Sequence, residues 1–113
     1  MADNATFSLT ATWSVPLNQA QSVAAALQML VGSTRKQPGC EGCQVTTELG
    51  DAAVIHYLER WKTESDLQRQ VRSARFSSLA ELLERATEAP VVRFSLEGIT
   101  RGLDYADEVR RQR

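Results

Sequence analysis

Histidine is almost absent from this chain: His56 is the one imidazole in 113 residues. Chemistry that needs several histidines, whether a zinc cluster or a histidine pair sharing acid and base roles, has no material to work with. Neither sign of charge dominates, since 13 Lys and Arg face 14 Asp and Glu for a net charge of -1. The basic footprint that a phosphate backbone demands is missing, so nucleic acid is not an expected partner. Long apolar runs are missing too, and Met1 to Thr6 carries no basic region followed by an apolar stretch. No membrane association is expected, and the cytoplasm is the expected location. The two cysteines form one C-x-x-C, Cys40 and Cys43, with no second pair and no strand-to-helix redox context after them. Neither a dithiol redox centre nor a metal site is expected there.

What remains is enough for one domain with a single core. Residues 6 to 15 alternate with period two: Phe7, Leu9, Ala11, Trp13 and Val15 against Thr6, Ser8, Thr10, Thr12 and Ser14. That pattern predicts a strand with one apolar face. Prolines are only three, and each stands at an element edge. After Pro16, Asn18 is the expected cap of a helix with Ala20, Val23, Ala24, Leu27, Leu30 and Val31 at steps of three and four. Beyond Pro38-Gly39, a second strand over Cys43–Leu49 turns at Gly50-Asp51 into a third over Ala53–Trp61. The third is apolar on nearly every residue to Leu58, which predicts a central strand covered on both faces.

Thr63 is the expected cap of a second helical region, and a phase slip at Ser73 predicts a short helix followed by a longer one. Pro90 ends it, and Val91 to Gly98 reads as a fourth strand. The order β-α-β-β-α-β predicts an α+β, ferredoxin-like domain over residues 1–98, with both helices on one face of a four-stranded antiparallel sheet. Residues 99–113 read as a C-terminal arm or tail, frayed or swapped to a partner, with a short helix capped by Asp104 and a basic end at Arg110, Arg111 and Arg113. The second sheet face is then bare, and a patch carrying large side chains from four strands cannot stay in water. A homodimer through the sheet faces is the expected solution.

On the third strand, Tyr57, Glu59 and Trp61 share one face by period two, and His56 lies on the other unless a bulge near Leu58 reverses it. His56 is the candidate base, weighed against a hydrogen-bonded histidine in the sheet or dimer interface. Trp13 is a candidate for lining a pocket, although a large side chain in a small domain first supplies burial. Arg93 and Arg72 could fix an anionic substrate through a guanidinium fork, although an isolated arginine is usually a solvated or ion-paired surface residue.

The Pro38-Gly39-Cys40-x-Gly42 turn, the strand ending Glu59-x-Trp61 and the Ser73-x-x-Phe76 helix start resemble the antibiotic biosynthesis monooxygenase family of dimeric α+β barrels, over roughly residues 6 to 98. The resemblance implies a cofactor-free monooxygenase acting with O2 on a small quinol or polyphenolic aromatic. Tyr57 then falls near a polar site residue of the polyketide-oxidising members and Trp61 near their site tryptophan. Where many members carry a histidine nine residues after that tryptophan, and another in a Ser-Pro-His-Phe run, this chain has Gln70 and Arg75. Neither acts as a base at neutral pH. The helical histidine of the haem-degrading branch is also missing, with Ala80 near its place, so haem degradation is disfavoured. The catalytic candidates are then Tyr57, His56 and Glu59, and the substrate-binding candidates Trp61, Arg75, Gln70 and Trp13. The alternative is a non-catalytic small-molecule-binding or stress-associated barrel that kept the fold and lost the histidines.

Overall fold

A computed structural model describes residues 7–112; Thr6 and Arg113 lie outside the described residues. The chain forms β1 (Phe7–Val15), a 3-10 turn (Leu17–Gln19), α1 (Ala20–Arg35), β2 (Cys40–Leu49), β3 (Ala53–Trp61), α2 (Glu64–Val71), α3 (Ala74–Leu83), β4 (Val91–Leu96), β5 (Ile99–Arg101) and α4 (Leu103–Arg111). The strands make one antiparallel sheet in the order β2-β3-β1-β4-β5. The ferredoxin-like α+β arrangement is as expected, with a fifth strand added at one edge.

Period two decides which face is covered. Leu9, Ala11, Trp13 and Val15 on β1, and Ala53, Ile55, Tyr57, Glu59 and Trp61 on β3, are all buried beneath the helices. The alternate residues of β3 are half-buried or exposed, so β3 lies between β2 and β1 with one face covered, not two. The middle strand is β1. The uncovered face also differs from expectation. It carries Ser8, Thr10, Thr12 and Ser14 from β1 and Gln44, Thr46 and Glu48 from β2, beside Val54, His56 and Leu58. The large apolar side chains are on the helix side, so the pressure to cover this second face is smaller than a bare apolar sheet would exert.

The helix boundaries follow local chemistry. The Thr63 hydroxyl accepts from the Asp66 amide (3.1 Å) and donates to its carboxylate (2.9 Å), a reciprocal cap that starts α2. Ser73 accepts from the Phe76 amide and restarts the chain as α3, as its phase slip predicts. Asn18 does not cap α1; the chain tightens through a 3-10 turn, with the Gln19 amide on the Pro16 carbonyl at 2.9 Å, and α1 begins without a side-chain cap. Gly39, at φ +83, lets the Pro38-Gly39 turn pass so close to the start of α2 that a Cβ there would meet the Asp66 carboxylate.

The segment after Leu96 is part of the fold. Glu97 and Gly98 both take positive φ, 52° and 89°, which turns the chain back as a two-residue hairpin and lays β5 on β4. In place of a frayed or swapped arm, α4 then buries Tyr105, Ala106 and Val109 against its own chain, with the Tyr105 and Phe94 rings 5.0 Å apart. Gly102 occupies the cap position, and Asp104 sits in the first turn, bonded by Arg101. The ends of α2 and α4 cap one another: Arg72 donates to the Val109 carbonyl (3.3 Å), and Arg110 donates to the Val71 carbonyl (2.6 Å) and the Ser77 hydroxyl (3.0 Å).

Candidate functional site

The inner face of β3 should be apolar, yet its centre holds a carboxylate. Glu59 is 1% exposed, as are Tyr57, Trp61 and Gln70 around it. Both carboxylate oxygens are engaged. Oε2 accepts from the Tyr57 hydroxyl (2.5 Å) and the Gln70 amide (3.2 Å), and Oε1 accepts from the Trp61 indole N–H (3.0 Å). Regular alternation along β3 puts three of these four side chains side by side, and the fourth descends from α2.

A second layer holds the first. Gln70 Nε2 also donates to the Thr34 hydroxyl on α1 (3.2 Å), while its Oε1 accepts from Arg75 Nε on α3 (2.8 Å). One amide therefore ties α1, α2 and α3 to the sheet. On the other side, the Cys43 thiol of β2 donates to the Tyr57 oxygen at 3.4 Å. An irregularity in β2 between Cys40 and Gly42 sets the register that brings Cys43 opposite Glu59.

Burial pushes the Glu59 carboxyl above its ordinary range; the hydrogen bonds from Tyr57, Trp61 and Gln70, and the Arg75 charge, act against that push without cancelling it. The Tyr57 hydroxyl is driven well above the usual phenol range, first by burial and then by the Glu59 charge. Burial likewise raises the Cys43 thiol to about 12 and the Cys40 thiol above its usual value, so neither is poised as a thiolate. Among the described residues no three His, Cys, Asp or Glu side chains come together to hold a metal ion.

Of the residues singled out from sequence, Tyr57, Glu59, Trp61, Gln70 and Arg75 converge. His56 does not. β3 is regular through Leu58, so His56 lies on the uncovered face, with Nε2 2.9 Å from Glu48 Oε1 and Nδ1 3.3 Å from the Thr12 hydroxyl. A hollow of about 270 Å³ lies beside it, lined also by Gln44, Thr46 and Leu58. Trp13 is on the covered face but opposite Ile55, a step beyond the pairs Leu9–Glu59 and Ala11–Tyr57. Its buried indole N–H has no partner among the described residues. Thr34 and Cys43 were not read as members of the network. Thr34 had a signal: it is a polar residue one turn after Leu30 and Val31, in the phase of the α1 core positions.

The family profile for antibiotic biosynthesis monooxygenases matches residues 6–82, more than half of the chain. The chain belongs to the antibiotic biosynthesis monooxygenase family. Solved structures agree on the fold of this family member. An antibiotic biosynthesis monooxygenase superposes with a TM-score of 0.67 at 16% identity, over 78% of this chain and 94% of that one. A Nitrosomonas europaea protein carrying the same family name gives 0.67 at 14% identity over 90% and 94%. A conserved protein of Methanosarcina mazei gives 0.65 at 21% identity over 82% and 95%. No curated protein matches this chain of the antibiotic biosynthesis monooxygenase family in sequence. Among the described residues, no helix is long and apolar enough to cross a membrane.

Proposed function

We propose that the protein is a cofactor-independent monooxygenase of a small quinol or polyphenolic aromatic, working in the cytoplasm as a homodimer joined through its sheet faces. The observation that carries this reading is the buried Glu59 carboxylate, raised by burial and hydrogen-bonded at once by Tyr57, Trp61 and Gln70. A carboxylate with a raised pKa is a better base than an ordinary one, and a phenol directly bonded to it can pass a proton inward.

In the proposed reaction an activated CH2 or hydroxyl of the substrate loses its proton to Glu59 through Tyr57. The resulting anion gives its electrons to O2. For an anthrone-type methylene, one oxygen atom of O2 becomes the product carbonyl and the other leaves as water with the two methylene hydrogens, so the substrate carbon supplies all four electrons. Trp61 offers an indole N–H and an aromatic edge, and Arg75 brings positive charge to the developing oxyanion side. The space around Glu59 is filled by the protein's own side chains, so the reaction requires Gln70 to swing away from Glu59 and admit the substrate.

That closure also favours a second reading, a barrel that binds a small molecule without turning it over. Oxygen uptake by metal-free protein with a panel of anthrones and dihydroquinones separates the two. The enzyme reading expects oxygen-dependent product that has gained one oxygen atom and lost two hydrogens, at a rate above autoxidation that falls at least tenfold in Glu59→Gln, about 1.4 kcal/mol in barrier. No rate above blank across the panel, with saturable binding of one of its members, would overturn it in favour of the binding reading.

A further inference from the structure

The buried network touches the outside at one described point. Arg75, at the start of α3, is half-buried, and its Nε is committed to Gln70 Oε1. No acceptor among the described residues takes its two terminal NH2 groups in a hydrogen bond. Arg75 borders a groove of about 470 Å³ between α1 and α3. Leu30 and Leu82 form its apolar floor, both nearly buried, and Met29 stands over it at 78% exposure. A methionine this exposed on a helix is a flexible apolar surface that the described residues leave open. The groove's charges are Arg75 and Arg85 against Glu81, an excess of one positive.

We propose that this groove binds a planar aromatic anion, with the ring on Leu30, Leu82 and Met29 and the anionic oxygens on the terminal fork of Arg75. The volume suits one or two fused rings. The Nε bond to Gln70 fixes the plane of the guanidinium, so the fork is oriented before the ligand arrives and little ordering is lost on binding. Partial burial strengthens a charge-assisted, two-point contact relative to one in open water. The ligand class matches an ionised quinol or polyphenol, and to that extent the inference rests on the monooxygenase reading. Binding itself does not depend on turnover.

The test is titration of the full chain with 1-naphthoate, followed by backbone amide shifts, with neutral 1-naphthamide as the control. The expected result is saturable shifts concentrated in residues 26–33 and 75–85, and much weaker binding of the amide. Arg75→Met should weaken naphthoate at least about tenfold and leave naphthamide unchanged. Since that change also strips Gln70 of a donor, Met29→Glu serves as a second variant. It sits on the surface, cannot disturb the core, and should weaken naphthoate by repulsion. Naphthoate shifts mapping elsewhere, or wild-type affinity in both variants, would overturn the proposal. Failure of oxygen uptake with naphthoate binding intact would defeat the catalytic reading and leave this one standing.

Discussion

The two faces of β3 each carry a polar cluster, built in opposite ways from alternate residues of one strand. Inward, Glu59 is sealed from water and every hydrogen-bonding atom around its carboxylate is committed. Outward, the side chains of His56 and Glu48 keep 44% and 73% of their exposure while sitting 2.9 Å apart. The distances are similar and the environments are not. A short contact in water competes with solvent and salt, whereas the same contact in the core carries the full desolvation of its partners. Proximity alone therefore says little about which cluster matters, and burial says most of it.

The largest effect should come from emptying the inner cluster of its acceptor. Glu59→Leu leaves the Tyr57 hydroxyl, the Trp61 N–H and a Gln70 amide hydrogen facing hydrocarbon, and should cost about 3 to 5 kcal/mol in urea unfolding. A loss below 1 kcal/mol would mean that the inner face tolerates an apolar core and that the comparison is misdrawn.

Next comes pH. Because the folded-state pKa of Glu59 is raised above its ordinary 4.5, the native chain holds a proton that the unfolded chain has released. Stability should then be greatest near and below the ordinary value and should fall as pH rises toward the raised one, by at most about 1.4 kcal/mol per unit. Urea midpoints measured from pH 4.5 upward would show this fall, and Glu59→Gln should flatten it. A profile that rises with pH over that range would reverse the assignment.

Smaller still is Tyr57→Phe, which removes one donor and keeps the ring: about 1 to 2 kcal/mol, with the Cys43 thiol losing its acceptor. The smallest effect belongs to the outer face. His56→Ala should change the chain's own unfolding free energy by less than about 0.5 kcal/mol. If its effect instead appears as weaker self-association in sedimentation, the outer cluster belongs to an interface between copies.

Much of this contrast could be read from sequence, because period two assigns faces without reference to tertiary contacts. Tyr57, Glu59 and Trp61 had to fall together, with His56 opposite, once β3 ran without a bulge. Gln70 and Arg75 came from the resemblance, since nothing in α2 or α3 alone distinguishes them from surface residues. Thr34 and Cys43 depend on how α1 crosses β2 and on the register set near Gly42, which is tertiary information. The missed fifth strand has a local cause: Glu97-Gly98 lacks the Asn-Gly or Asp-Gly signature of a two-residue hairpin, and a non-glycine residue there accepts positive φ. The polar character of the uncovered face is visible in Ser8, Thr10, Thr12 and Ser14 of β1.

The crossed arginines at the ends of α2 and α4 have a dynamic consequence. A helix that ends in water frays one turn at a time and alone. Here the guanidinium that satisfies the Val71 carbonyl is rooted on α4, and the one that satisfies the Val109 carbonyl is rooted beside α2. Unwinding either terminus strips the other of its donor, so the two last turns open together as one cooperative unit and should lose amide protection at a common rate.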